Sequence, residues 1–162
     1  MLKVSDPVYE AIRQHGEETY PHECCGVMLG RVEAAVNEVV EVVRAGNTRT
    51  DSAHNRYHIA PQELIRIQRQ GREKGLDIVG FYHSHPDHPA QWSQTDFAEA
   101  HWLGCSYVIT AVEKGSARVT NSFRLTGTSE EDKQFTHEPI DVTGQNIPGL
   151  GPENVEAGST NR

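Results

Sequence analysis

Along the chain the spacing of apolar positions changes several times, and each change predicts an element. Asp6-Pro7 reads as a helix start, since Asp can cap and Pro suits the first helical position. Val8, Ala11 and Ile12 keep helical spacing to about Tyr20, where Pro21 follows. Cys24–Leu29 is a short apolar run, then Gly30-Arg31, which predicts a buried strand and a turn. The Val-rich stretch Ala34–Val43 predicts a second strand, and polar Ala45–Asn55 a loop. Pro61 opens a helix with Leu64, Ile65 and Ile67 on its apolar side, ending near Gly71–Gly75. Asp77–Tyr82 is a strand, His83–Trp92 a loop with two prolines, and Ser93–His101 a short helix. Ser106–Val112 and Ala117–Leu125 are strands joined by a Lys114-Gly115 turn. After Leu125 the pattern weakens. Helices and strands are interspersed around a Val/Ile-rich sheet, so the class is mixed α/β (α+β).

Length fits one domain plus a tail: residues 1–125 patterned, 126–143 a weakly patterned extension, and 144–162 a Gly- and Pro-containing flexible tail. Composition removes several functions. A net charge of −8 argues against a nucleic-acid or anionic-membrane binder. The longest uncharged apolar-rich stretch, Ser106–Val112, is far short of the ~20 residues of a membrane span. Asp6, Glu10 and Glu17 near the start leave no signal-peptide core, so a cytoplasmic location is expected. Cys24, Cys25 and Cys105 do not make a disulfide framework and read as buried, inert thiols.

The chemistry concentrates in a cluster of histidines. Nine occur in the chain, three of them within Tyr82–Pro89. His83 and His85 are two apart at a strand end, so both imidazoles share one face. Pro86 and Pro89 stiffen the following loop, and Ser93 with Asp96 three residues on opens a helix. The loop can return the Asp96 carboxylate to the imidazoles. Two neutral imidazoles and one carboxylate form a typical catalytic zinc set with a fourth position left for water. Incidental readings compete: His-x-His pairs occur by chance, and Ser-x-x-Asp opens many helices without function. All three at a helix start, after an apolar strand and a Pro-bounded loop, are harder to assign to chance.

Two metal families are spelled here. His83-Ser84-His85-Pro86-Asp87-His88 resembles the metallo-β-lactamase motif, which also needs ligands far downstream. Beyond His88 there remain only His101 and His137. His83-x-His85, seven residues, then Ser93-x-x-Asp96 resembles the JAMM signature of the MPN domain. Pro21-His22-Glu23-Cys24-Cys25-Gly26-Val27-Met28-Leu29-Gly30 is similar to that family's upstream segment, and Asn47 with Arg56–Pro61 looks like its lead-in to the second helix. The resemblance covers residues 2–125, and the small size without insertions looks like the prokaryotic stand-alone branch.

The resemblance implies a single MPN-like domain with a curved, mostly antiparallel sheet flanked by helices. It implies one zinc per chain on His83, His85 and Asp96. Glu23 would hold water and move its proton, and Ser93 would donate to the oxyanion. The implied activity is a zinc metalloprotease cutting a peptide or isopeptide bond, after the C-terminal diglycine of a ubiquitin-like (sulfur-carrier) protein. A homodimer is compatible. Rivals are a non-catalytic MPN scaffold and a metallo-β-lactamase-like hydrolase using His83, His85, Asp87 and His88. Apart from the resemblance, a Glu between a helix and a strand is usually just solvated. The zincin spelling His-Glu-x-x-His fails at Gly26. Trp92 is expected to pack under the loop, and Asp132–Glu138 to be solvated surface.

Overall fold

The computed structural model describes residues 1–46 and 58–144. Beyond Gly46 the expected polar loop, Asn47 and Arg56–Tyr57 of the lead-in, and the expected tail after Gly144 lie outside the described residues. The elements are β1 (Leu2–Ser5), α1 (Asp6–Thr19), β2 (Cys25–Glu33), β3 (Val36–Ala45), α2 (Pro61–Glu73), β4 (Asp77–Pro86), α3 (Gln94–Ala98), β5 (Ser106–Glu113), β6 (Ser116–Thr126), β7 (Gln134–Glu138) and β8 (Ile140–Thr143). They form one eight-stranded, mostly antiparallel sheet in the order β7-β6-β5-β4-β2-β3-β1-β8. β7 and β8 sit at opposite ends of that order, yet only Pro139 separates them in sequence. The sheet must therefore curve until its two edges meet. The Leu2 amide donates to the Pro139 carbonyl at 3.0 Å at that meeting point.

Alternation along the strands sends side chains to two cores. Met28, Tyr82 and Val108 face α1 and pack with Tyr9, Ile12 and Val142. Val27, Leu29, Phe81 and Tyr107 face the other way and pack with Ile67 of α2 and Leu125, with Phe97 of α3 against them. His83 and His85 follow Phe81 with period two and so share the α2/α3 face. Among the described residues no helix is long and apolar enough to cross a membrane.

Several expected boundaries shift for identifiable reasons. The cap position of α1 is Ser5, and Asp6 lies inside the first turn, where its charge favours the helix dipole. No turn forms at Gly30-Arg31. The β2–β3 register shifts at Leu29/Gly30, and a Cβ on Gly30 would lie 1.7 Å from the Glu38 carbonyl oxygen. Only glycine admits that approach, so the strand continues and the chain reverses at Ala34-Ala35. Both alanines have left-handed φ of 51° and 63°, the geometry of a two-residue primed hairpin. The segment expected to loop from His83 stays extended through Pro86, because His83 to Pro86 pair in parallel with Ile109 to Val112 of β5. Residues 134–138, expected as solvated surface, form an edge strand that ends in a buried Glu138.

Candidate metal centre and catalytic cleft

Strand β4 delivers the two histidines and α3 delivers the carboxylate. Ser93 caps α3: its hydroxyl oxygen accepts the Asp96 amide at 3.0 Å, and its own amide donates to Asp96 Oδ2 at 2.9 Å. This reciprocal box fixes the aspartate rotamer as the helix begins. Asp96 Oδ2 then lies 3.1 Å from His85 Nε2, and Oδ1 3.3 Å from His83 Nε2. The two Nε2 atoms are 3.1 Å apart. One ligand atom from each of the three residues lies within 4.8 Å of the others.

The protonation pattern tests whether a cation fits. A carbonyl only accepts, so His85 Nδ1 donates to the Pro89 carbonyl at 2.9 Å. In the neutral ring that leaves a lone pair on Nε2, aimed at the Asp96 carboxylate and the His83 ring. Lone pairs facing a carboxylate at 3.1 Å repel unless a proton or a cation lies among them. Two imidazole nitrogens and a carboxylate oxygen are a zinc donor set with one position left open, so these residues fit a zinc ion. Burial opposes charge on all three groups, and Asp96 pulls the other way. Burial holds His83 below its ordinary range, while for His85 the Asp96 carboxylate and the Pro89 carbonyl outweigh burial and hold it above. Asp96 is held well below the usual carboxylate range because the two histidines and the Ser93 amide outweigh its burial.

Glu23 reaches the centre through strand register. In the β2–β4 ladder Cys25 pairs with His83. One residue outward, the Cys24 amide donates to Ser84 Oγ at 2.9 Å, and the Ser84 amide to the Cys24 carbonyl at 3.3 Å. The next step sets Glu23 across from His85, on the same face. Glu23 is only 4% exposed. Burial pushes its carboxyl up to about 8, with His85 opposing and the charges of Asp96 and Glu99 adding. Glu23, His85, His88, Trp92 and Ser93 line one cleft of about 310 Å³.

Other candidates fall elsewhere. Asp87 does not turn toward the histidines: its carboxylate accepts from the Tyr20 hydroxyl at 2.6 Å and the Lys114 amide at 2.8 Å. Only His88 of the alternative Asp-His pair borders the cleft. Burial pushes the thiols of Cys24 and Cys105 up to about 11 and about 12, and that of Cys25 up as well. Trp92 stacks 5.5 Å from both Phe97 and Phe135. The support beneath α3 has no local sequence signal. Lys133, its side chain 6% exposed, donates to the carbonyls of Phe97 at 3.0 Å and Ala100 at 2.8 Å.

Comparison with known proteins speaks to the family and the fold. A family model described as prokaryotic homologs of the JAB domain matches residues 5–126. A desampylase of Haloferax volcanii is 33% identical over 106 residues, 64% of this chain and 73% of that protein. A probable TtuB-protein conjugate cleaving protease of Thermus thermophilus is 31% identical over 102 residues, 63% of this chain and 65% of its own. A solved protein of Salinibacter ruber superposes with a TM-score of 0.65 at 35% identity, covering 92% of this chain and 94% of that one. Another, from Desulfitobacterium hafniense, has a TM-score of 0.76 at 24% identity over 90% of this chain and 94% of its own, and speaks to the fold alone.

Proposed function

Since the chain belongs to the prokaryotic homologs of the JAB domain, we propose that it is a zinc-dependent peptidase that hydrolyses a peptide or isopeptide bond. The substrate is a ubiquitin-like protein, of the sulfur-carrier kind, cut after its C-terminal diglycine. One observation carries the reading. A buried carboxyl displaced to about 8 shares a cleft with a histidine whose Nε2 faces Asp96 and His83. The names of the two relatives, a desampylase and a conjugate-cleaving protease, support a protein conjugate as substrate.

Each residue has a task. His83, His85 and Asp96 hold the ion. A zinc ion there supplies a water of lowered pKa and polarises the scissile carbonyl. Glu23 takes a proton from the attacking water and passes it to the departing nitrogen, a role open to a buried carboxyl that shares the cleft with His85. Ser93 uses an oxygen lone pair for its cap, so its hydroxyl hydrogen is left to donate to the carbonyl oxygen as negative charge develops. Burial of the Glu23 side of the cleft strengthens these interactions.

The test uses a ubiquitin-like protein joined through its diglycine to a reporter peptide, once linearly and once through a lysine side chain. Release of the reporter after the second glycine, lost on chelation and regained with zinc, is the expected result. A protein that holds zinc yet releases nothing from either substrate is a scaffold, and the proposal falls.

A further inference from the structure

Asp87 lies outside the catalytic cleft and is exposed, yet it is held from several sides. Its amide donates to the Val112 carbonyl at 2.7 Å. One carboxylate oxygen accepts from the Lys114 amide at 2.8 Å and the other from the Tyr20 hydroxyl at 2.6 Å. These partners come from β5, from the turn between β5 and β6, and from the C-cap of α1. An exposed carboxylate is ordinarily left to water; this one has a directed partner on each oxygen.

The backbone at Asp87 is costly as well. Its φ of 56° is left-handed, a region that residues other than glycine seldom occupy. Pro86 before it has φ fixed at about −65°, and the His88 amide lies 3.5 Å from the His85 carbonyl. A type II turn has this pattern, and its third position ordinarily takes glycine. Glycine would form the turn without strain, so what aspartate adds is its carboxylate.

Just beyond the turn, the Pro89 carbonyl accepts from His85 Nδ1 at 2.9 Å, the bond that leaves Nε2 to the metal trio. Pro89 is anchored on its far side, where Ala90 is buried with Ile109 and Phe123 and its carbonyl accepts from the Asn121 side chain at 2.9 Å. Asp87 is the anchor on the near side. The partner of a metal-binding histidine's second nitrogen sets the tautomer and the ring orientation. We propose that Asp87 is a positioning residue of the metal centre: clamped by Tyr20 and the Lys114 amide, it holds the turn that presents the Pro89 carbonyl to His85. The assignment rests on the reading that His85 helps to hold zinc. It also gives the aspartate of the unused Asp87-His88 spelling a task without making it a ligand.

Zinc affinity, read by chelator competition on the full chain, is the first test. Asp87→Gly keeps the turn and removes the clamp, so affinity is expected to weaken about tenfold, with one zinc per chain still bound at saturation. Asp87→Asn still offers an oxygen to the Lys114 amide and an amide to the Tyr20 oxygen, and is expected to match wild type. Tyr20→Phe, a change of one oxygen, is expected to weaken binding in the same direction and to add nothing in the Asp87→Gly background. The clamp is overturned if Asp87→Gly binds as tightly as wild type or if Asp87→Asn is as weak as Asp87→Gly. It is also overturned if a folded Asp87→Gly chain binds no zinc at all, which would make the aspartate a ligand. Should Asp87→Gly not fold, Tyr20→Phe alone decides. The second test needs neither zinc nor substrate: exchange of the His85 Nδ1–H proton with water is followed by NMR in the metal-free chain. Faster exchange in Asp87→Gly and Tyr20→Phe than in wild type and Asp87→Asn supports the clamp even if no reporter is ever released, in which case only the cleavage reading fails. Equal exchange in all four proteins overturns it.

Discussion

Glu23 and Asp96 are both buried carboxyls, and their neighbours drive their protons in opposite directions. Asp96 faces two imidazoles and an amide and stays ionised, whereas Glu23 is dominated by its own burial. Distinct roles follow, and substitutions separate them. Glu23→Gln keeps the shape and removes the proposed proton carrier, so cleavage is expected to fall at least ~100-fold while metal analysis still finds one zinc per chain. Asp96→Asn is expected to lose the zinc, and Asp87→Asn and His88→Ala to keep it. Zinc loss on changing Asp87 or His88 would revive the metallo-β-lactamase-like reading. Ser93→Ala is expected to slow cleavage about 10²–10³-fold, far more than the ~1 kcal/mol lost with its cap would explain. The His83, His85 and Asp96 convergence was legible because period two and a capping pair are local rules. Glu23 was not, because its place depends on Cys25 pairing with His83, 58 residues away, which only the resemblance suggested.

At the scale of elements, α3 has five residues and cannot hold itself. Its last carbonyls are held by Lys133, and the Lys133 ammonium also lies 4.9 Å over the Phe97 ring. Phe135 adds a buttress against Trp92, Phe97 and Tyr107. Lys133→Met would take the lysine donor from the Ala100 carbonyl and from the Phe97 carbonyl, the latter keeping the Ala100 amide at 3.2 Å, a cost of about 1–3 kcal/mol, and would loosen the helix that aims Asp96. The expected outcome is a lower melting temperature together with zinc affinity weakened ~10–100-fold in a chelator competition. A lower melting temperature with unchanged zinc affinity would show that Lys133 serves the fold alone. Sequence pattern marked the start of this helix through Ser93 and Asp96 but overran its end. It also passed over Lys133 and Phe135, because a lone lysine and a lone phenylalanine in polar surroundings carry no periodicity. The extension of β4 beyond Tyr82 was hidden for a similar reason: prolines argue for a loop, and only the parallel partner β5 keeps the backbone straight.

Across the whole molecule, the closure of the sheet gathers buried polar groups where its edges meet. Glu138 accepts from the hydroxyls of Ser106 at 2.6 Å and Ser122 at 2.8 Å, and pairs with Arg124 at 3.1 Å and the Met1 amino group at 3.0 Å. Those partners outweigh its burial and hold its carboxyl below the usual range. On α1, burial and then the Arg44 charge lower His15 to about 4, against Glu18, and its Nδ1 lies 2.7 Å from the Tyr82 hydroxyl. Both folded-state values lie below the unfolded ones, so each contribution is complete above the unfolded pKa and lost as the pH falls through the folded value. For His15 the window runs from ~6.5 down to about 4. Glu138 loses its share at lower pH, below ~4.3. In the chelator-treated protein Glu23, raised to about 8, adds stability as the pH falls, so the readout is the difference: as the pH drops from ~7.5 to ~4.5 the melting temperature of the wild type is expected to fall relative to that of His15→Gln. Parallel slopes would remove His15 as a source.

The same closure orders events in time. β1 takes one neighbour from β3 and the other from β8, with Leu2 opposite Ile140 and Val4 opposite Val142. A ribosome adding about 5–20 residues per second makes Leu2 on the order of ten seconds before its second partner exists. Throughout that interval the outer edge of β1 is an unsatisfied template for any other extended chain. The seam can zip only once synthesis has passed Thr143, so the nascent chain carries that open edge until β8 has been made.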